Sequence, residues 1–286
     1  MHNRRPQILV TNDDGVDGIG MHALADAMVE LGEVTVVAPD EEYSGYSSAI
    51  GPIWDEHPHV HKAHIDGIDR VWAVSGPPAL CVMYTCLGAF DFRPDIIVSG
   101  INPGANVGRS VYYSGTIGAT LTGRNYGIPG VAISQAVDGA SAEGQAWDDV
   151  VASIDWNVSA TVARRVVASL LASLDETYEP GTAPVLNVNV PATSLDGIKG
   201  WKWGEVGHFP RRSLTAVTLR PHPGHKDSYQ VNFEFGEENS LSPEIDTAIV
   251  SENRVSLSYL SEISAIDHRH ARMGKAVASA LDDLIG

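Results

Sequence analysis

The chain has 286 residues, of which 43% are hydrophobic and 19% charged. A sequence of that make-up buries a sizeable core and is not disordered. Its 36 acidic residues against 19 basic ones give a net charge of −17, a field that repels nucleic-acid polymers and anionic membrane surfaces. A small anionic substrate is compatible with that field only where something local, such as a metal ion, reverses it. At about 150 residues per domain, the length fits two domains or one large α/β domain with an appendage. No stretch approaches a membrane span. The apolar run Ile8 to Val10 behind Arg4 and Arg5 is too short for a secretory segment, so a cytoplasmic location is expected.

In chain order, short β-branched runs alternate with helical stretches over the first two thirds, which predicts a parallel sheet with helices on both faces. The strands are expected at Gln7 to Thr11, Val34 to Ala38, Val71 to Val74, Ile96 to Ser99, Val131 to Ser134 and Val185 to Val190. Each is apolar almost throughout, as strands covered on both faces should be. Helices are expected at Met21 to Leu31, Ala79 to Leu87, Ile117 to Tyr126 and Ile154 to Leu174. The last carries Val158, Val162, Val166, Leu170 and Leu174 at i, i+4 spacing, one buried stripe. Gly139 to Gly144 reads as a small-residue loop. After Pro191 the texture changes: Trp201 to Arg212 and Thr215 to Phe235 alternate polar with aromatic or β-branched residues, the pattern of antiparallel strands and hairpins. A final helix is expected over Arg269 to Leu284. The expected organisation is a Rossmann-like α/β three-layer sandwich with a mostly parallel sheet over residues 1–191. A β-rich extension with a terminal helix follows over 192–286.

The sharpest local feature is Asn12-Asp13-Asp14-Gly15, directly after the first strand. Ligands of open parallel sheets bind outside the carboxyl ends of the strands, so two adjacent carboxylates fall in the expected crevice. Such a pair repels itself unless it shares a proton or binds a hard divalent cation; the same residue types also make simple Asx turns. The second strand leads through Asp40 into Tyr43-Ser44-Gly45, adding a hydroxyl and a glycine backbone. The strand ending at Ser99 runs into Gly100 to Gly108, where Asn102 and Asn106 offer neutral amide oxygens and N–H donors. Ser114-Gly115-Thr116 opens a helix, either as a plain N-cap or as an anion site. Magnitude calls for a metal: a carboxylate 4 Å from a phosphate charge costs on the order of 4 kcal/mol at an effective dielectric of 20, and here there are two.

Other patterns carry less. Gly18 to Ala23 matches the loose dinucleotide fingerprint GxGxxA, but six residues including three aspartates separate it from Thr11, and those acids would face a pyrophosphate. His57, His59, His61 and His64 read as an exposed hairpin more than as a transition-metal site. Cys81 and Cys86 fit neither a CxxC nor a zinc motif and read as buried apolar thiols. No GxSxG elbow is present.

The segments ILVTNDDG (Ile8 to Gly15), VVAPDEEYSGYS (Val36 to Ser47), PDIIVSGINPGANVG (Pro94 to Gly108), YSGTIGAT (Tyr113 to Thr120) and GIPGVAIS (Gly127 to Ser134) closely resemble the SurE family of metal-dependent nucleotidases. That resemblance implies hydrolysis of nucleoside 5′- and 3′-monophosphates to nucleoside and phosphate, with release of phosphate from short polyphosphate also possible in the family. It implies one divalent ion per subunit, Mg²⁺ or Mn²⁺, on Asp13, Asp14, Ser44 and Asn102, with Asp13 and Asp14 as the catalytic pair. The resemblance places phosphate at the Asn106 region and Ser114 to Thr116, and the substrate phosphate is expected to be bound by Asn12, Gly45, Asn106, Ser114, Gly115 and Thr116. The family assembles as dimers or tetramers, so the β-rich extension is expected to be an oligomerisation arm. This chain departs from the family's pattern in carrying Glu41, Glu42 and Tyr43 before Ser44-Gly45, and Leu80 where an acid is common. The competing expectation is a non-catalytic nucleotide or metal sensor.

Overall fold

The computed structural model describes residues 4–51, 53, 57–137, 147–174, 177–208 and 212–261. The loop at Gly139 to Gly144 and the terminal helix expected over Arg269 to Leu284 lie outside the described residues. Six strands form a parallel array: β1 (Gln7–Thr11), β2 (Glu33–Pro39), β4 (Arg70–Val74), β5 (Ile96–Pro103), β6 (Gly130–Gln135) and β7 (Val185–Val190). At one edge β3 (Val60–Lys62) runs antiparallel to β4. At the other, β11 (Val255–Tyr259) runs antiparallel to β7, and β8 (Trp201–Trp203) parallel to β11. The order across the sheet is β3-β4-β2-β1-β5-β6-β7-β11-β8.

The central strands are buried on both faces, and their side chains divide by period two. Ile8, Val10, Val36, Ala38, Ile96 and Val98 pack into one core, while Leu9, Val37 and Ile97 pack into the other. Helices α1 (Ile19–Val29) and α5 (Trp156–Leu171), the latter preceded by the short α4 (Trp147–Ala152), cover the first face; α2 (Pro78–Cys86) and α3 (Gly115–Arg124) cover the second. The expected three-layer α/β sandwich is therefore present. The stripe Val158, Val162, Val166 and Leu170 packs α5 onto the first core, and Asp155 caps its start by accepting from the Asn157 N–H at 3.2 Å. Cys81 is buried and Cys86 half-buried, both free thiols.

Beyond Pro191 the chain divides its residues between two places. β9 (Arg212–Pro221) and β10 (Tyr229–Glu238) form a separate antiparallel pair, as the alternation predicts. β8 and β11 instead extend the main sheet, and β8 pairs in parallel because the excursion through β9, β10 and the short helix α6 (Asp246–Ser251) brings the chain back in the same direction. The histidine run is exposed, with His61 on the edge strand β3. Among the described residues no helix is long and apolar enough to cross a membrane.

Candidate active site

The site is assembled where β1, β2 and β5 end on the same edge of the sheet, next to the start of α3. Thr11, the last residue of β1, pairs with Ser99 of β5. The chain then places Asn12 and Asp13 in the interior and Asp14 half-buried. Asp13 is 2% exposed, and its carboxylate is gripped by the first turn of α3. The Thr116 hydroxyl donates to Oδ1 at 2.6 Å and the Gly115 N–H donates to Oδ2 at 3.1 Å. The helix start is thus an anion site, as its free N–H groups and dipole favour, and the anion it holds in this structure is a side chain. Gly115 is required there by space: a Cβ would stand 2.8 Å from Asp13.

Burial pushes the Asp13 carboxyl above the usual range, opposed by the Thr116 hydroxyl and backbone; the Glu42 charge adds to the rise. Asp14 is pushed up to about 8, first by burial, then by repulsion from Asp13 and Glu42, with the Asn12 side chain working the other way. Among the described residues, no Lys, Arg or His forms an ion pair with either aspartate. Asn12 donates through Nδ2 to Gly15 O at 3.0 Å, while its buried Oδ1 has no partner among the described residues.

The other expected residues are held by different elements around this centre. The loop carrying Ser44 and Gly45 is tied to the pair through its backbone: the Tyr43 N–H donates to Asp13 O at 2.7 Å, and both Ser44 and Gly45 are exposed. Asn102 lies at the end of β5, where its Nδ2 donates to Gly104 O at 2.7 Å, leaving Oδ1 as the atom able to meet a cation. Ser114 caps α3, its hydroxyl oxygen accepting from the Ile117 N–H at 3.1 Å. Asn106 is turned inward. Its backbone N–H donates to Asn189 Oδ1 at 2.7 Å, its Nδ2 donates to Ser134 Oγ at 2.9 Å, and its carbonyl accepts from Asn187 and Asn189. In this structure it anchors the loop to β6 and β7.

Two residues outside the expected site set also shape it, Glu42, marked in the sequence only as a departure from the family's pattern, and Asp246. Glu42 places a third carboxylate within electrostatic reach of the pair. Asp246, fully buried on α6, accepts the Gly108 N–H at 2.8 Å through Oδ2, and the Gly207 and Thr247 N–H groups at 3.1 and 2.7 Å through Oδ1. It clamps the far end of the glycine-rich loop to the C-terminal segment. Only its Asp-Thr start, a helix N-terminal signature, was visible in sequence.

The donors fit a hard divalent cation. Two carboxylates, a hydroxyl and a carboxamide oxygen are oxygen ligands of the type such ions take, with no thiol among them. Asp14, lacking a protein cation, holds its proton until a positive charge replaces it. Among the described residues no cluster of three or more His, Cys, Asp or Glu offers a competing metal centre. A parallel α/β sheet with this acid pair on its carboxyl edge, beside a helix start, defines an α/β protein with a candidate oxygen-ligand metal site in the crevice where such sheets bind ligands.

Comparison with known proteins narrows the class. The family described as survival protein SurE matches residues 8–212. A 5′-nucleotidase SurE of Variovorax paradoxus is 35% identical over 237 residues, 82% of this chain and 83% of that protein. One from a Polaromonas species is 37% identical over 220 residues, 75% of this chain and 77% of its own length. The crystal structure of the SurE protein from Aquifex aeolicus superposes with a TM-score of 0.74 at 28% identity, covering 96% of this chain and 100% of that one. The chain belongs to the SurE family.

Proposed function

We propose that this chain hydrolyses nucleoside 5′-monophosphates, and 3′-monophosphates more broadly, to nucleoside and phosphate in a metal-dependent reaction, with short polyphosphate as a further substrate. The observation that carries this reading is the buried Asp13–Asp14 pair, unpaired with any described cationic side chain, at the mouth of β1 in a chain whose relatives are named 5′-nucleotidases. In this reading one Mg²⁺ or Mn²⁺ ion per subunit is held by Asp13, Asp14, Ser44 and Asn102. When bound, such an ion supplies charge to the phosphate oxygens and lowers the pKa of a coordinated water.

The chain's own groups then divide the work. Both oxygens of Asp13 are already engaged by Gly115 and Thr116, so Asp13 is a fixed anionic ligand. Asp14, whose carboxylate is not tied into the first turn of α3 as that of Asp13 is, orients the attacking water and takes its proton. Asn12, Gly45, the Asn106 loop and the Ser114-Gly115-Thr116 start of α3 border the place of the phosphate; Gly115 and Thr116 act there through the Asp13 carboxylate they hold, and the Ser114 hydroxyl, which only accepts within its cap, keeps its proton to meet charge developing on the phosphate oxygens. The division at residues 191 and 192 belongs to the same reading. The protruding β9–β10 pair, with Val217, Leu219, Val231, Phe233 and Phe235 exposed, is the arm of a homodimer or homotetramer, and the location is cytoplasmic.

Phosphate release from AMP and GMP with Mn²⁺, with and without a chelator, tests the function. Chelator-sensitive release is the expected result. Release that ignores the chelator overturns the metal dependence, and saturable nucleotide binding without release identifies a sensor.

A further inference from the structure

We propose that Tyr43 and Tyr46 form the platform on which the nucleobase of the substrate stacks; this rests on the nucleotidase reading above and assigns the part of the substrate that reading leaves unplaced. The two rings lie 5.1 Å apart at 76°, edge to face. Such a pair covers at most one ring face, and Tyr46 is 53% exposed, so aromatic surface stays open to a planar ligand.

The platform is fixed relative to the acid pair. The Tyr43 N–H donates to Asp13 O at 2.7 Å, and the Tyr46 N–H donates to Tyr43 O at 3.3 Å. One residue further, the Ser47 N–H donates to Tyr113 O at 3.1 Å, next to the Ser114 cap of α3. Gly118 of α3 lies so close beneath that a Cβ there would stand 2.1 Å from Ser47 O. The loop's backbone is therefore pinned at one end to Asp13 and at the other to the helix start, which keeps the segment carrying both tyrosines beside the acid pair.

The chemistry favours a base over other occupants. The exposed Asp40 and Glu41 put negative charge beside Tyr43, and neither is in an ion pair with a described basic residue. A second anion is repelled there, whereas an uncharged aromatic ring loses nothing to the field and gains a stacking surface whatever its sequence identity.

The test compares AMP with ribose 5-phosphate, which carries the same phosphate without a base, and measures adenosine binding calorimetrically to the full chain. In the wild type we expect kcat/KM for AMP to exceed that for ribose 5-phosphate, with the gap residing in KM. Tyr46→Ala is expected to shrink the ratio by roughly 5- to 150-fold and to weaken adenosine binding in step, while Tyr46→Phe preserves both. Equal use of the two substrates, or a ratio and an adenosine affinity unmoved in Tyr46→Ala and Tyr43→Ala, overturns the proposal. Parallel loss on both substrates marks a structural role and overturns it as well. Adenosine binding decides the platform even where no phosphate is released, so failure of the nucleotidase reading is read separately.

Discussion

Oδ1 of Asp13 lies 2.6 Å from the Thr116 hydroxyl that donates to it, although 103 residues separate the two in the chain. Through this bond and that of the Gly115 N–H, the end of β1 and the start of α3 form one rigid unit. The carboxylate takes the place at the helix N-terminus that an external anion would otherwise fill, and it brings the acid pair against the dipole that stabilises negative charge.

Replacing Thr116 by Val keeps the side-chain shape and removes the donor. A hydrogen bond to a charged group in a buried site is worth about 1.5–3 kcal/mol, and Thr116→Val is expected to lose that much stability in chemical denaturation. Turnover should fall with it, because Asp13 is no longer held in place.

The two aspartates are expected to differ when each becomes asparagine. Both variants should lose at least ~100-fold in phosphate release. Asp13→Asn also sets a donor amide against the Gly115 N–H and should lower the melting temperature. Asp14→Asn removes a carboxyl that burial and two acidic neighbours destabilise, and the metal-free melting temperature should hold or rise. Differential scanning fluorimetry beside a phosphate assay separates the two; near-normal activity in both would remove them from the mechanism.

The raised Asp14 value sets a pH dependence with a definite sign. Its ordinary value of 3.8 rises to about 8 on folding, so between these limits the folded chain holds a proton that the unfolded chain releases. Stability of the metal-free chain should therefore fall as pH rises from about 4 to about 8. A dication must displace the same proton, so apparent Mn²⁺ affinity should climb over that window and level off above about 8. Chemical denaturation of the metal-free chain at several pH values checks the first sign and Mn²⁺ titration calorimetry the second, and Asp14→Asn should flatten the stability slope.

Removing Asp246 leaves the buried N–H groups of Gly108, Gly207 and Thr247 without an acceptor. Asp246→Ala is expected to cost about 3 kcal/mol or more, a fall of roughly 5–10 °C in melting temperature. Hydrogen exchange should show the Gly108 amide losing protection first.

Much of the architecture was written locally. β1 and β7 span the residues expected of them, because strands covered on both faces are rich in apolar residues, although β7 also buries Asn187 and Asn189, which hold Asn106. α3 starts at Gly115, two residues before the apolar periodicity at Ile117 suggests. Its first turn is built from small residues chosen for close approach to Asp13 and Ser47, and these carry no hydrophobic signal. β11 and α6 escaped notice for a related reason: each is short, and its burial comes from neighbours that arrive from elsewhere in the chain.

By itself, the sequence determined the alternation of strand and helix, the position of Asp13 and Asp14 just past the first strand, and the acidic surface that a phosphate substrate must overcome. Those are properties of consecutive residues, set by side-chain period and charge. Only the tertiary structure decided that the α3 start closes on Asp13, that Asn106 turns inward to Ser134 and Asn189, that Asp246 clamps Gly108, and that β8 and β11 complete the main sheet. Each of these joins groups distant in the chain through short-range hydrogen bonds, and such bonds leave no trace in local composition because either partner alone has many other uses.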